Sequence, residues 1–490
     1  MQWMPLLLAA TALAAARKPE KAPPPLRQRV DAILQSSAAA QRAFWGISVV
    51  QTSNGKPLLA INPRRTFTPA SNTKLFTSAL ALMELGPSYR FETTVVSERA
   101  PDASGRLAGD LRLVGGGDPL LSDRAVPYQK GAPAGNPLQA IEALADQVVA
   151  QGVRSIDGDV IGDDTAYLWE PYAEGWGQDD ILWDYGAPVS ALAVNDNTVS
   201  LRVRAVAGRA SVVLTPPLEY YALDNRVRVG PGLENRVLID RLPGSRQLRL
   251  WGTLNSNPPG GTLMLLAIDD PALYAAHALA DALARRGVQI AGQPLALHRY
   301  PNQPAQSEVA VVLARRSSPP LLELLRITNK VSQNLYAEMM LRAVAHERRG
   351  VGARQAGLEE LRQFLAAVGI AQDEYHFVDG SGLSSANLVA PETVAKLLLY
   401  MIRSPHRDAW VSLLPVGAED GTLSTRFEGS RAARRIRAKT GTETHVSALS
   451  GYAESRSRGM LVFSILTNNY GAPVAEIRAL IDRIALAFTE

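Results

Sequence analysis

The spacing of hydrophobic residues divides the chain into three regions, of which the first ends near residue 92. Apolar positions at helical spacing over 26–42 predict a helix. Apolar runs on either side of Asn54-Gly55 predict a β-hairpin, because Asn-Gly is a strong hairpin-turn signal. The stretch 68–87 then shows the i, i+4, i+7 period of an amphipathic helix and ends in Gly-Pro. The first region is therefore predicted to fold as helix, hairpin, helix.

The second region, 93–317, has a different pattern. Short apolar or alternating runs are separated by turn-forming residues, which is typical of β-strands. Two longer stretches, 136–152 and 271–290, carry the helical period instead. We predict a β-rich region that contains two helices.

The third region, 318–490, returns to longer elements. Its helical periods lie at 321–345, 354–369 and 391–404, followed by two apolar strands and a helix with Ile477, Ile481, Ile484 and Phe488 on one face. The chain is thus predicted to begin with a helix followed by strands and to end with strands followed by a helix.

This symmetry predicts a fold of the α/β (α+β) class. One domain would be formed by 26–92 together with 318–490, and it would be split by a large β-rich insertion, 93–317, of one or two subdomains.

Composition excludes several classes of function. The chain has 490 residues, of which 46% are hydrophobic, and a formal net charge of +4, which is far short of a nucleic-acid-binding surface. It has no cysteine, which removes disulfides, thiolate catalysis, cysteine-based zinc sites and lipid attachment through cysteine. The six histidines are scattered and show no metal-binding spacing, so we expect neither a metal nor another cofactor.

The N-terminus predicts export. An apolar run from Leu6 to Ala16 ends in small residues and is too short to span a bilayer, so 1–16 is predicted to be a cleaved signal peptide. The absence of lysine or arginine before Leu6 departs from the usual pattern. Residues 17–25 are charged and proline-rich, and they are predicted to be a linker. We expect a periplasmic or extracytoplasmic protein whose mature chain has no transmembrane segment, with peripheral membrane association left open.

A serine and a lysine lie three residues apart where the helix of 68–87 should start. Ser71 and Lys74 would share one face of that helix, near free backbone N–H groups that favour a developing negative charge. A buried Lys74 would lose its proton readily and could then take one from the serine. The alternative is a serine that caps the helix and a lysine on the surface. The S-x-x-K pair alone is too short to decide.

Two further motifs follow in a defined order. Ser332-Gln333-Asn334 lies 261 residues after Ser71, and Lys439-Thr440-Gly441 follows 107 residues later. The order S-x-x-K, S-x-N, K-T-G is typical of penicillin-binding proteins and serine β-lactamases. The long first gap, with stretches such as "LVGGGDPLL" and "DGSGLSSANLVAP", resembles the class C low-molecular-mass penicillin-binding proteins, the D-alanyl-D-alanine carboxypeptidase/endopeptidase family. The resemblance covers nearly the whole mature chain and implies a serine β-lactamase/penicillin-binding transpeptidase-like domain.

The resemblance also implies a role for each motif residue. Ser71 would be the nucleophile and Lys74 its general base, while Ser332, with Lys439 nearby, would pass a proton to the leaving group. Asn334 would bind the substrate amide and steady Lys74. The oxyanion hole would consist of the backbone N–H groups of Ser71 and Thr442. The substrate carboxylate would be held by the K-T-G-T segment, which comprises Lys439, Thr440, Gly441 and Thr442.

One motif position departs from the family. Gln333 stands where the family commonly has aspartate, which puts contacts at the helix end in doubt more than catalysis. In the insertion, "GWGQDDILWDYGAP" resembles a family segment with an aspartate facing the cleft. Asp180 is therefore a candidate for binding the free amine of a diamino acid in the stem peptide, and the alternative is a solvated acid in a turn.

Three functions are consistent with these motifs. The first is a serine D,D-peptidase acting on peptidoglycan peptides and binding β-lactams. The second is a serine β-lactamase or esterase that uses the same residues. The third is a non-catalytic wall-binding protein of the same fold. The intact motifs oppose the third, and the large insertion favours the first. Carboxypeptidase and endopeptidase activity are not distinguished, and neither is the oligomeric state.

Overall fold

The computed structural model describes residues 24–132, 135–303 and 310–490. The predicted signal peptide, 1–16, lies outside the described residues, and so does the predicted linker, 17–25, except for its last two residues. Both remain predictions.

The first region forms the elements that its hydrophobic pattern predicts, with one difference. They are α1 (Leu26–Leu34), α2 (Ala38–Arg42), β1 (Phe44–Gln51), β2 (Pro57–Ile61) and α3 (Thr73–Glu84). The hairpin is confirmed, since β1 and β2 pair antiparallel. The single helix predicted over 26–42 is wrong: Ser37 is extended and its hydroxyl accepts a hydrogen bond from the N–H of Ala40 at 3.1 Å, so a second helix starts there.

The second region is β-rich, and both of its predicted helices are present, although the one predicted over 271–290 ends at Ala284 and Gln289–Ile290 form a short strand. Its elements are β3 (Glu92–Ser97), β4 (Arg106–Leu107), β5 (Leu111–Gly115), α4 (Gln139–Ala150), β6 (Ser155–Ile156), β7 (Val160–Leu168), β8 (Thr198–Val206), β9 (Arg209–Thr215), β10 (Ala222–Gly230), β11 (Arg236–Asp240), β12 (Gln247–Asn255), β13 (Gly261–Ala267), α5 (Pro271–Ala284), β14 (Gln289–Ile290), β15 (Pro294–Arg299) and β16 (Val311–Ser317). These strands form sheets in the orders β15-β7-β5-β3-β16, β14-β6-β4, β13-β8-β9 and β10-β12-β11. They share one hydrophobic core with α4 and α5.

The chain enters and leaves this region at neighbouring points. The first strand, β3, pairs antiparallel with the last, β16, and Glu92 lies opposite Ser317. A segment whose two ends lie side by side can be inserted into another domain without disturbing it. We therefore propose that 26–92 and 318–490 form the two parts of one domain and that 93–317 is the insertion between them.

The third region supplies most of the helices and three long strands. Its elements are α6 (Leu321–Lys330), α7 (Asn334–Arg349), α8 (Arg354–Val368), β17 (Tyr375–His376), β18 (Leu388–Val389), α9 (Pro391–Arg403), α10 (Arg407–Leu413), β19 (Ile436–Glu443), β20 (Val446–Ser455), β21 (Gly459–Asn468) and α11 (Val474–Ala487). The one long helix predicted over 321–345 is wrong, because α6 and α7 are separate helices. The break lies at the predicted S-x-N motif and is described with the site.

The two ends of the chain join in one five-stranded antiparallel sheet of order β19-β20-β21-β1-β2. Strand β21 is nearly all buried because helices cover both faces of the sheet. Phe463 and Ile465 pack with α1 and α11 on one face, whereas Val462 and Leu466 pack with α3 and α9 on the other. This arrangement places α3 next to the edge strand β19, which brings the S-x-x-K and K-T-G motifs together.

Candidate active site

Ser71 lies in a short 3₁₀ turn, Ala70–Asn72, that leads directly into α3. Ala70 has a left-handed backbone with φ 48°, a conformation that costs free energy in a residue other than glycine. A Cβ on Gly382 would lie 2.0 Å from the carbonyl oxygen of Ala70, so only glycine fits against this turn. The tight packing holds the serine at the entrance of the helix, half-exposed to a cleft.

Lys74 is fully buried one turn later. Its Nζ donates hydrogen bonds to Ser71 Oγ at 2.8 Å, to Asn334 Oδ1 at 2.6 Å and to the carbonyl oxygen of Ser381 at 2.7 Å. The alternative of a surface lysine is therefore wrong. The amine instead joins the serine to the S-x-N motif and to the loop that contains Ser381.

The S-x-N motif forms the connection between α6 and α7. Ser332 has φ 64°, in the left-handed region, which ends α6 and prevents one continuous helix. The Gln333 side chain accepts a hydrogen bond from the N–H of Leu335 at 3.2 Å and so caps α7. The glutamine thus provides the helix-end contact that its departure from the family pattern had put in doubt. Asn334 Nδ2 donates to the carbonyl oxygen of Tyr185 at 2.8 Å.

The K-T-G motif lies on the edge strand β19. Lys439 is fully buried, and its Nζ donates to Ser332 Oγ at 2.7 Å. A Cβ on Gly441 would lie 2.6 Å from the carbonyl oxygen of Pro69, so this glycine lets the strand approach the turn that carries Ser71. Asn72 adds a second link, since its Nδ2 donates to the carbonyl oxygen of Lys439 at 3.2 Å. The three motifs therefore converge on one site.

Burial changes the protonation of both lysines. Burial lowers the pKa of Lys74 to about 8, although the carboxylates of Asp379, Glu338 and Glu443 act in the opposite direction. Burial, together with the positive charge of Lys74, lowers the pKa of Lys439 well below its ordinary value. An amine with a pKa near 8 can accept a proton from a serine at moderately alkaline pH.

Ser71 opens into a cleft of about 580 Å³. The cleft is lined by Ser71, Ser332, Thr422, Thr425, Arg426, Thr440, Gly441, Thr442, Ala475, Arg478, Ala479 and Asp482. Sequence reasoning missed two of its polar contacts. Thr440 Oγ1 donates to Thr422 Oγ1 at 2.8 Å, and an Arg478 Nη donates to Thr442 Oγ1 at 2.9 Å. Hydroxyl groups beside a guanidinium can bind a carboxylate.

Asp180 lies at the rim of the site and does not line this cleft. Its carboxylate accepts a hydrogen bond from the N–H of Gly177 at 2.9 Å and also bonds the Tyr185 hydroxyl. It acts electrostatically on Glu443, the residue after Thr442 on β19. The loop of Asp180 also contacts the site directly, because Trp176 Nε1 donates to Asp379 at 3.0 Å.

A second buried group, Glu338, supports the Ser381 loop from α7. Its Oε1 accepts hydrogen bonds from the N–H groups of Gly380 at 2.8 Å and Ser381 at 2.7 Å. Its Oε2 lies 3.3 Å from a nitrogen of Arg342, and both side chains are almost fully buried. Glu338 thereby fixes the carbonyl group to which Lys74 donates.

We expect Glu338→Ala to lower the free energy of unfolding by about 3–5 kcal/mol, because Arg342 would keep a buried charge without its partner. Chemical denaturation would measure the change. Glu476→Ala, at an exposed position of α11, is the matched control and should cost less than about 1 kcal/mol. Equal losses in the two variants would contradict the assignment.

The described residues include no group of three or more His, Asp or Glu side chains placed to bind a metal ion. In the same residues, no helix combines the length and the apolar character that crossing a membrane requires.

The fold and the converging motifs define a class of protein, the active-site serine enzymes that contain S-x-x-K, S-x-N and K-T-G. Within this class, the model of the D-Ala-D-Ala carboxypeptidase 3 (S13) family matches residues 26–487. The chain belongs to this family. The predicted class C penicillin-binding resemblance is thereby confirmed, and so is the prediction of a serine-type D-Ala-D-Ala carboxypeptidase.

Individual relatives agree with the family. The chain is 35% identical to a D-alanyl-D-alanine carboxypeptidase of Actinomadura sp. (strain R39), over 95% of the chain and 84% of the relative. It is 26% identical to the D-alanyl-D-alanine carboxypeptidase DacB of Haemophilus influenzae, over 82% and 80% of the two chains. The crystal structure of penicillin binding protein 4 from Haemophilus influenzae superposes with a TM-score of 0.78 at 23% identity, covering 93% of this chain and 97% of that one. The predicted fold class is confirmed.

Proposed function

We propose that the protein hydrolyses the peptide bond after D-alanine in peptidoglycan stem peptides or cross-links, through an acyl-enzyme on Ser71. One observation carries the proposal: the fully buried Lys74 Nζ lies 2.8 Å from Ser71 Oγ and is held by Asn334 and Ser381. A nucleophile within hydrogen-bond reach of an oriented base with a lowered pKa is the arrangement that acyl transfer requires.

In the acylation step, neutral Lys74 takes the proton of Ser71 Oγ while the oxygen attacks the carbonyl carbon of the penultimate D-alanine. The backbone N–H groups of Ser71 and Thr442 stabilise the oxyanion, where one donor is typically worth about 3–4 kcal/mol. Ser332, hydrogen-bonded to Lys439, passes a proton to the departing amine. The proton that Lys74 took from Ser71 then replaces the one that Ser332 gave up, so Lys74 is neutral again before the second step. The C–N bond breaks and the terminal residue leaves.

In the second step, a water molecule attacks the ester on Ser71. Lys74 accepts a proton from that water and returns it to Ser71 Oγ as the C–O bond breaks. A β-lactam ring would acylate Ser71 in the same way, but its leaving group stays attached and hydrolysis is slow. Penicillin binding protein 4 of Haemophilus influenzae, which shares the fold, has been crystallised in complex with a β-lactam.

Substrate recognition would use both sides of the site. Thr440 and Thr442, with Gly441 allowing close approach, would hold the terminal carboxylate, and Arg478 would add positive charge beside Thr442. Asp180, at the rim, would bind the free amine of the diamino acid.

Fluorescent penicillin and purified muropeptides test this function. We expect stable labelling of the protein and release of D-alanine from pentapeptides, or cleavage of D-Ala cross-links. Rapid turnover of the drug without a stable adduct would favour a β-lactamase, and folded protein without labelling would favour a wall-binding role. Comparing cross-linked with uncross-linked muropeptides would separate endopeptidase from carboxypeptidase activity.

The rate of acylation should depend on pH through Lys74. Its pKa is lowered to about 8, so its amine is protonated below that pH and cannot accept the serine proton. We expect the acylation rate constant for benzylpenicillin to rise about tenfold per pH unit up to that value and then to level off. Stopped-flow labelling across the pH range would measure it. A rate that falls as pH rises towards 8 would contradict a lysine base.

We also propose that the protein is exported and acts outside the cytoplasm, because the predicted signal peptide, 1–16, and a peptidoglycan substrate require it. N-terminal sequencing of the secreted protein should give a start near residue 17. A chain that keeps Met1 and remains in the cytoplasm would contradict this.

A further inference from the structure

A second large cavity lies in the inserted region, 93–317, and none of the roles assigned above uses it. Its volume is about 690 Å³, against about 580 Å³ for the serine cleft, and among the described residues the two cavities share no lining residue. Its walls come from the loop between β7 and β8, from the segment around the end of β11 and from the start of α5. Concave sites of this size, lined by aromatic side chains and a few polar groups, are where proteins bind small ligands.

The cavity has aromatic walls. Three half-buried aromatic side chains line it: Trp169, Tyr172 and Trp183. The Trp169 ring is held in place by His298, which stacks on it with the ring centroids 3.9 Å apart. His298 is itself fixed, because its ring nitrogens lie 3.0 Å from Asp164 and 3.2 Å from Asp270. An aromatic ring held in this way offers a ligand a flat apolar surface at little cost in side-chain entropy.

The least exposed charged groups of the cavity are already paired. Arg241 is almost fully buried, and its Nη1 donates to the Tyr221 hydroxyl at 3.0 Å. That hydroxyl donates to Asp269 at 2.7 Å, and Asp270 contacts His298. A charged ligand would have to compete with these partners, and a lining with four carboxylates and two guanidinium groups disfavours an anion. The cavity therefore suits a neutral polar ligand better than a charged one.

One loop connects this cavity to the serine cleft. Residues 169–186 supply the three aromatic side chains, and the same loop contacts the catalytic groups. Trp176 Nε1 donates to Asp379 at 3.0 Å, and the carbonyl oxygen of Tyr185 accepts a hydrogen bond from Asn334 at 2.8 Å. A substrate long enough to contact both cavities can therefore be bound along a single loop.

We propose that this cavity binds a neutral N-acetylated sugar of the glycan strand to which the stem peptide is attached. The sugars of that strand are neutral because their lactyl carboxyl group forms the amide bond to the peptide. A sugar ring has C–H groups on its faces, which would pack on Trp169 and Tyr172. Its hydroxyl groups would donate to Asp179 and Asp240, the more exposed carboxylates of the lining. Only the assignment of this sugar to the substrate rests on the proposed function.

Titration with a soluble sugar tests the cavity without catalysis. The probe is tri-N-acetylchitotriose, a neutral oligomer of N-acetylglucosamine, and isothermal titration calorimetry would measure its Kd. We expect binding at millimolar concentration or below, and Trp169→Ala and Tyr172→Ala should each raise the Kd by about tenfold, since a few aromatic side chains carry much of the affinity of a small site. Trp169→Phe keeps a ring and should retain most of the affinity.

Trp251→Ala is the matched control for this titration. Trp251 is partly exposed on β12 and does not line the cavity, so its loss should leave the Kd unchanged. No binding of the trisaccharide to the wild type at millimolar concentration would overturn the proposal. An equal loss of affinity in Trp251→Ala and Trp169→Ala would overturn it as well.

Two substrates with the same pentapeptide test the link to catalysis. In one the pentapeptide is attached to the disaccharide of N-acetylglucosamine and N-acetylmuramic acid, and in the other it is free. The wild type should have the higher kcat/KM for the first, mainly through a lower KM, and Trp169→Ala should remove this preference. Hydrolysis of the free pentapeptide and acylation by benzylpenicillin should be unchanged in the variant. An equal loss of kcat/KM for both substrates would mean a structural role for Trp169 and contradict the proposal.

Failure of the proposed function would look different from failure of this inference. The wild type would then hydrolyse neither substrate and would not be labelled by penicillin, while the titration would still show whether the cavity binds the trisaccharide. Equal kcat/KM values for the two substrates in the wild type, with normal penicillin labelling, would refute the role of the cavity alone.

Discussion

Ser71→Ala is expected to abolish stable penicillin labelling and to lower peptide hydrolysis by about 10⁴-fold or more. Without Oγ no acyl-enzyme can form, and what remains is the contribution of the oxyanion hole and of substrate binding. The side chain is half-exposed and its loss removes one hydrogen bond to Lys74, so the fold should persist. Gel fluorescence after labelling and mass spectrometry of the intact protein would measure the adduct.

Two serines provide controls for this experiment. Ser412→Ala, on α10, removes a hydroxyl group that donates to the carbonyl oxygen of Ala409 and accepts from Arg326, neither of which belongs to the three motifs, and it should label like the wild type. Ser381→Ala tests the other serine near Lys74, whose hydroxyl accepts a hydrogen bond from the N–H of Leu383 at 3.3 Å and whose carbonyl, not its side chain, contacts the lysine. It should still label. Labelling of Ser71→Ala but not of Ser381→Ala would reverse the assignment of the nucleophile.

The elements around the site could be predicted because their patterns are local. The helix of Lys74 follows from its apolar period and its Gly-Pro end, and the hairpin of β1 and β2 follows from Asn54-Gly55. The order of the three motifs then identified the class of enzyme. Their convergence could only be expected from the resemblance, since pairing of β1 with β21 joins residues more than 400 positions apart.

The break between α6 and α7 could not be predicted from local pattern. The apolar period runs through 321–345 without interruption, and neither glycine nor proline marks Ser332. Ser332 has a left-handed backbone, and its Oγ accepts a long-range hydrogen bond from Lys439 Nζ. Tertiary contacts here override local helix propensity.

The missed polar residues differ in how far the sequence could have revealed them. Arg478 reaches the cleft from a segment without a motif, so no local signal was available. Thr422 lies in the stretch 414–427, which resembles the family but contains none of the three motifs. Glu338 and Glu443, in contrast, each had a local signal in the sequence. Glu338 lies four residues after Asn334 on the same face of α7, and Glu443 shares the face of β19 with Lys439. Asp180 was found through the resemblance, and its role stays a prediction.

Lys74→Met is expected to reduce the rate of acylation by about 10²–10⁴-fold, the usual contribution of a positioned general base. Methionine fills a similar volume without an amine, but it leaves Asn334 Oδ1 and the Ser381 carbonyl without their donor. Some loss of stability should accompany the loss of rate. Stopped-flow penicillin labelling and the thermal midpoint, measured on the same samples, would separate the two.

Lys330→Met is the matched control for burial. This lysine is also largely buried and bonds Asp420 and the carbonyl oxygen of Leu414, outside the proposed chemistry. It should lower stability while the rate of acylation stays within about tenfold of the wild type. Lys74→Arg then distinguishes a base from a fixed positive charge, because an arginine keeps the charge but does not release its proton. Recovery of the wild-type rate in Lys74→Arg would show that the site needs a cation at residue 74, and the proton of Ser71 would have to go to another group.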